Sequence, residues 1–217
     1  MAIVLEKSGD KHRINLDKAI RTPGEIKINL GWSKGSFLKR MFGGDIDLDL
    51  GCFYEMRDGS KTLIDGLQFS HGRGGRRDQQ TRQGCYTQAP YIWHRGDDRG
   101  GGAESGETIF VNPQGISQIK RIVVYTFIYD GVAKWADTNA VVKVSVPGCE
   151  DVIVKMGQQS SIRKFCAIAS IEIGTDNSMT VQKLVTFHDG HSDCDRRYGW
   201  GFNYSCLLYT SPSPRDR

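Results

Sequence analysis

Arg121-Ile122-Val123-Val124-Tyr125-Thr126-Phe127-Ile128-Tyr129 is dense in β-branched and aromatic residues, which pack well on a pleated surface. It reads as a long central strand. On its C-terminal side, residues 140–146 end in the alternation Val142-Lys143-Val144-Ser145-Val146 and stop at Pro147-Gly148, a turn signal. Residues 151–156 then read as the hairpin partner. Residues 164–173 and 178–187 predict a second hairpin around Gly174-Thr175-Asp176-Asn177. On the N-terminal side, further strands are expected at 25–32, 45–54, 67–69 and 109–111. No segment keeps a sustained 3.6-residue apolar period, although 114–120 can hold a short helical turn. Many short strands joined by glycine-rich turns predict an all-β protein, a β-sandwich of two mainly antiparallel sheets.

The chain has 217 residues, 38% of them hydrophobic, enough to bury a core in one domain. Its 29 basic and 25 acidic residues are mixed along most of the sequence, and the formal charge of +4 does not mark a nucleic-acid binder. The start, Met1-Ala2-Ile3-Val4-Leu5-Glu6-Lys7, lacks the basic region and the apolar run of about 7 to 15 residues of an export signal. No apolar run approaches the roughly 18 residues of a membrane span, so a cytoplasmic location is expected. The six cysteines show no C-x-x-C pair and are expected to be reduced thiols, with Cys166 buried in Phe165-Cys166-Ala167-Ile168-Ala169. Trp32, Trp93, Trp135 and Trp200 are read as core or rim packing.

Two stretches concentrate carboxylates: Gly43-Gly44-Asp45-Ile46-Asp47-Leu48-Asp49, and the glycine-rich run from Gly96-Asp97-Asp98 through Glu104-Ser105-Gly106-Glu107. In the first, Ile46, Leu48 and Leu50 alternate with Asp45, Asp47 and Asp49, so an extended backbone separates the apolar set from the acids. Aspartates two apart on a strand lie about 6.6–6.8 Å apart, close enough for two carboxylates to close on one large cation. The second stretch can fold tightly while offering carboxylates and carbonyls, and hard oxygen ligands favour calcium over zinc. This is not an EF-hand, since Leu50 stands where the sixth-position glycine would be and Met56 where the glutamate would be. The plainer alternative is that the aspartates form the solvated face of an edge strand and that Asp97 and Asp98 cap a turn.

Six blocks, in order, carry a resemblance: Leu5-Glu6-Lys7-Ser8-Gly9-Asp10 with Ile14-Asn15-Leu16; Ile28-Asn29-Leu30-Gly31-Trp32; Asp45-Ile46-Asp47-Leu48-Asp49; Pro90-Tyr91-Ile92-Trp93 running into Gly96-Asp97-Asp98-Arg99; Ser105-Gly106-Glu107; and Tyr198-Gly199-Trp200-Gly201-Phe202-Asn203. From residue 3 to about 204 the chain resembles the TerD domain family of bacterial tellurium-resistance and stress-response proteins, and within it the TerA-like branch. The resemblance implies a β-sandwich that binds Ca2+ between two acidic loops. It places Asp47 and Asp49 on the D-x-D strand and Asp97, Asp98 and Glu107 in the G-D-D loop, with Asp45 and Glu104 as further ligands. It also implies a non-enzymatic role exerted through other stress-response or tellurium-resistance proteins, including a membrane-associated complex. No Ser/His/Asp or Cys/His arrangement, phosphate loop or cofactor fingerprint is visible in the sequence.

Residues 68–88 read as an insertion in this domain of residues 1–204. Its basic, glycine-rich segment carries Arg73, Arg76, Arg77 and Arg82, of the kind that contacts phosphates or RNA while staying flexible. A nucleic-acid or nucleotide-binding module using these arginines is therefore a second reading, and a metal-dependent hydrolase a third, since clustered carboxylates also hold catalytic metals. The run His188-Asp189-Gly190-His191-Ser192-Asp193-Cys194-Asp195 has zinc-ligand types without the four-ligand spacing of a structural site. Residues 205–217 change composition, resemble translated adaptor sequence, and are set apart from the domain.

Overall fold

The computed structural model describes residues 1–32, 46–66, 75–96, 106–130, 135–202 and 204. Seven strands form one sheet: β1 (Ile3–Leu5), β3 (Ile26–Gly31), β6 (Gly84–Cys85), β7 (Ile92–His94), β8 (Glu107–Val111), β10 (Val141–Ser145) and β11 (Val152–Lys155), in the order β1-β11-β10-β3-β8-β7-β6. Six form the other: β2 (Lys11–Asn15), β4 (Asp47–Met56), β5 (Lys61–Asp65), β9 (Ile119–Asp130), β12 (Phe165–Ile173) and β13 (Ser178–His188), in the order β2-β13-β12-β9-β4-β5. β1 and β11 pair in parallel, and the other strand pairs are antiparallel. The protein is thus the all-β sandwich that the strand pattern predicts. Both expected hairpins form, β10 with β11 and β12 with β13. The turn expected within 114–120 is a 3₁₀ turn at Ile116–Gln118. The strand expected at 67–69 lies outside the described residues.

Alternation sorts the side chains. Ile26, Ile28 and Leu30 of β3, Leu48, Leu50 and Cys52 of β4, Ile122 and Val124 of β9, and Val142 and Val144 of β10 fill the space between the sheets. The six-stranded sheet carries a second apolar layer on its other face: Phe53, Val123, Tyr125, Phe127 and Phe165, covered by Cys194 and Trp200. β9 reads as one continuous apolar run because it is buried on both faces. The cover comes from helix α3 (His191–Tyr198), which follows α1 (Asp17–Arg21) and α2 (Trp135–Thr138). Gly199 ends α3 in the left-handed region at φ 68°, and its N–H donates to the Asp195 carbonyl at 2.8 Å. The Asp195 carboxylate then accepts from the N–H groups of Gly201 (2.7 Å) and Phe202 (2.9 Å), which turns Trp200 onto Phe53. Arg121 stacks on the Trp200 ring at 4.1 Å and donates to the Tyr198 carbonyl, locking the segment to β9.

Gly51 makes the outer layer possible. It lies between Asp65 of β5 and Tyr125 of β9, so the tyrosine ring crosses over it and the hydroxyl donates to Asp65 at 2.7 Å. A Cβ on Gly51 would stand 2.3 Å from Tyr125 Cε2 and 2.7 Å from Asp65 Cβ. Gly51→Ala is expected to destabilise the fold by about 2–3 kcal/mol through overpacking and loss of the Tyr125–Asp65 bond. Urea unfolding checks this, and an unchanged midpoint would contradict the packing described.

Candidate functional site

β4 begins at Asp47, at the end of the sandwich where Glu107 opens β8. Asp47 is half-buried and Asp49 is 5% exposed, both on the outer face of the six-stranded sheet, while Leu48 and Leu50 point into the core. The separation of acids from apolar residues follows the sequence pattern, but Asp49, which pairs with Phe127 of β9 beyond the end of β5, is a buried acid rather than part of a solvated face. Gly66 sits against Asp49, and a Cβ there would stand 2.8 Å from Asp49 Oδ1.

Glu107 opens β8 in the opposite sheet and points inward with Ile109 and Val111. Gly106 allows this, because a Cβ at that position would stand 1.8 Å from the Leu30 carbonyl oxygen. β5 ends at Asp65, opposite Gly51, and the next β4 residue outward is Leu50. The Leu50 N–H donates to Glu107 Oε2 at 2.6 Å. The Leu50 carbonyl lies 3.0 Å from Nε2 of His94, an inward-facing residue of β7. Because the Gly96 N–H donates to His94 Nδ1 at 3.0 Å, the proton of the neutral imidazole belongs on Nε2, which donates to Leu50. Glu107 is 1% exposed and His94 fully buried, with Glu107 Oε2 3.7 Å from His94 Nε2. Thus β4, the first acidic stretch, is bonded to the last residue of the second.

Among the sequence-derived ligands, Asp47, Asp49 and Glu107 fall at this end of the sandwich, while Asp45, Asp97, Asp98 and Glu104 lie outside the described residues. Among the described residues no three His, Cys, Asp or Glu side chains form a group that could hold a metal ion. The sequence reading did not single out His94 or Asp65, and it weighed His191 only as a member of a zinc-like run. Asp65 is fully buried and takes both the Tyr125 hydroxyl and His191 Nε2, at 2.7 Å each. The available signal was position, His94 just before the stretch Gly96-Asp97-Asp98 and Asp65 directly after Leu63-Ile64.

His188 and His191 turn to different partners. His188 lies 3.3 Å from Asp193 Oδ2 and 2.9 Å from Thr186 Oγ1, while His191 turns to Asp65. Burial pulls the His188 pKa below its ordinary 6.5, opposed in part by Asp193. Five cysteines, at 52, 85, 149, 166 and 194, are free thiols; burial pushes Cys52, Cys166 and Cys194 up and away from the thiolate form.

The inserted segment is only partly as the sequence suggests. Arg73 lies outside the described residues. Beyond it, residues 75–88 are built onto the sheet rather than held loose: β6 pairs with β7, and Gln83 Nε2 donates to the His94 carbonyl at 3.1 Å. Arg76 pairs with Asp78 at 2.9 Å, and Arg77 pairs with Glu25 at 2.6 Å and stacks over Tyr86 at 4.5 Å. Arg82 is exposed. Among the described residues, no helix is long and apolar enough to cross a membrane.

Two outcomes check this geometry. Glu107→Gln keeps an acceptor for the Leu50 N–H and should change stability by less than about 1 kcal/mol, whereas Glu107→Ala should cost about 1–3 kcal/mol, measured by chemical denaturation without added metal. For His188, the folded pKa lies below the unfolded one, so the unfolded chain binds more protons in acid. Its contribution is complete above 6.5 and is lost as pH falls through the lowered folded pKa. His188→Gln should flatten the acid limb of the melting temperature against pH below 6.5, and an unaltered limb would contradict the assignment.

No protein-family model matches the chain. Tellurium resistance protein TerA of Alcaligenes sp. is 35% identical over 188 residues, covering 84% of this chain. The chain spans about half the length of this curated relative, 52%. Among solved structures, a protein described as of unknown function aligns with a TM-score of 0.53 and 13% identity, over 82% of this chain and 98% of that one. A homologue of telluride resistance protein TerD from Streptomyces coelicolor A3(2) aligns with a TM-score of 0.50 and 14% identity, over 79% and 94%. At these identities the structures attest the sandwich fold, and the sequence relative supplies the lineage. The chain is thus a sequence relative of tellurium resistance protein TerA and shares the β-sandwich fold of the TerD homologue.

Proposed function

We propose that the chain is a calcium-binding, non-enzymatic β-sandwich of a bacterial tellurium-resistance and stress-response system, working in the cytoplasm through protein partners. The observation that carries this reading is the bond from the Leu50 N–H to Glu107, which draws the end of one acidic stretch onto the strand that carries Asp47 and Asp49. Oxygen-only ligands of this charge suit a large hard cation. A calcium ion held there by Asp45, Asp47, Asp49, Asp97, Asp98, Glu104 and Glu107 would tie both loops to the sandwich end and set a surface for a partner. The hydrolase alternative needs a general base beside the metal, and His94, the nearest buried imidazole, uses both ring nitrogens for backbone bonds. The nucleic-acid alternative is weakened by the carboxylate partners of Arg76 and Arg77.

Calorimetric titration of the full chain should give calcium binding in the micromolar to millimolar range. A hundredfold excess over Kd should add about 2.7 kcal/mol of stability. The double variant Asp47→Asn, Asp98→Asn should abolish the binding heat and leave the calcium-free fold intact, because removing like charges from an empty site relieves repulsion. Asp58→Asn should bind normally, since Asp58 accepts from Ser60 in a turn at the far end of β4. Equal losses in both variants would place the site elsewhere.

A further inference from the structure

α3 covers the outer face of the six-stranded sheet, but the outer face of the seven-stranded sheet carries a cleft of about 530 Å³ across β10, β3 and β8. That volume lies within the range of about 300–1,000 Å³ typical of small-molecule sites. Alternation dictates its lining. While Ile28, Leu30, Ile109, Val142 and Val144 turn inward, the intervening residues Lys27, Asn29, Thr108, Lys143 and Ser145 turn outward, and Arg95 joins them from the end of β7.

The lining is mostly positive. Lys27, Arg95 and Lys143 supply three cations, and Glu25, the carboxylate among the lining residues, is already paired with Arg77 at 2.6 Å. Lys27 and Lys143 stand on neighbouring strands, with Lys27 opposite Ser145 and Lys143 opposite Asn29, so their ammonium groups reach a common space. Thr108 Oγ1 accepts from Asn29 Nδ2 at 2.9 Å, which leaves the Thr108 hydroxyl proton to donate. Phe110 forms an apolar wall, with Lys27 5.9 Å over its ring and Trp93 packed behind it at 5.8 Å.

We propose that this cleft binds a small phosphate-bearing molecule carrying at least two phosphate charges. Cations spread over two adjacent strands and the loop after a third match several oxyanion oxygens better than a single carboxylate. The hydroxyl donors add short bonds to phosphate oxygens, and Phe110 offers a surface for an attached organic group. The site lies on the opposite side of the seven-stranded sheet from Glu107 and is independent of the proposed calcium site.

The test is an NMR and calorimetric titration of the full chain with inorganic pyrophosphate, with chelator present so that calcium plays no part. One-to-one binding is expected, with shifts at the amides of Lys27, Thr108 and Lys143. The double variant Lys27→Gln, Lys143→Gln should lose about tenfold or more in affinity. The control Lys155→Gln, Lys164→Gln, at two exposed lysines outside the cleft, should bind as the parent does. Citrate should bind about tenfold more weakly than pyrophosphate. Absence of shifts at about 10 mM pyrophosphate, equal losses in both double variants, or citrate binding as tight as pyrophosphate would overturn the proposal. So would a response confined to phosphatidic-acid vesicles or single-stranded RNA, which would mean a macromolecular partner.

Discussion

Beyond the end of β5 at Asp65, β4 runs on, and the N–H and C=O of Leu50 are met by two side chains from the other sheet. A buried backbone donor or acceptor left without a partner costs about 1–3 kcal/mol, so this is a constraint on the whole end of the sandwich. Glu107 satisfies the donor and His94 the acceptor, and each is fixed in turn: Glu107 by the close approach of Gly106 to Leu30, His94 by the Gly96 N–H. These contacts set where the acidic loops leave and rejoin the sheets. The motif Ser105-Gly106-Glu107 therefore has a packing reason as well as a chemical one.

The opposite face of β4 follows a related logic. Gly51 lets Tyr125 cross to Asp65, and Asp65 in turn receives His191 from α3, so one buried carboxylate joins three strands to the covering helix. The phenol is held protonated: burial, then the charge of Asp65, push the Tyr125 pKa well up. At the far end of β4, Glu55 is held below the ordinary carboxylate range by Lys120 and Arg121. A strand that begins at half-buried Asp47 and buried Asp49 and ends in a paired acid is thus anchored at both ends by groups from elsewhere in the chain.

How much of this was legible depended on the distance between partners. β9 and the two hairpins were readable because their signals are local: apolar runs, Pro147-Gly148, and the turn at Gly174 to Asn177. The alternation of Leu48 and Leu50 with Asp47 and Asp49 was equally local. α3 was not readable, because its sequence, His191-Ser192-Asp193-Cys194-Asp195-Arg196-Arg197-Tyr198, has no apolar stripe. Its stability comes from Cys194 under the aromatic layer and from Asp195 bonding backbone six and seven residues on. β2 was missed because Ile14 is its one buried residue. The partnership of Asp65 with His191 spans 126 residues, and that of Leu50 with Glu107 spans 57, separations at which periodicity carries no signal. The segment after Arg73 looked loose from its glycines and arginines, yet Glu25, Asp78 and β7 supply what its charges and backbone need.

The proposed hard cation would sit where β4 and β8 meet. Terbium, an oxygen-seeking ion of calcium-like coordination, tests this directly through emission sensitised by the aromatic residues of the protein. The account predicts sensitised emission that calcium displaces and that Asp49→Asn removes. Emission absent at saturating terbium, or unchanged by Asp49→Asn and by excess calcium, would contradict it.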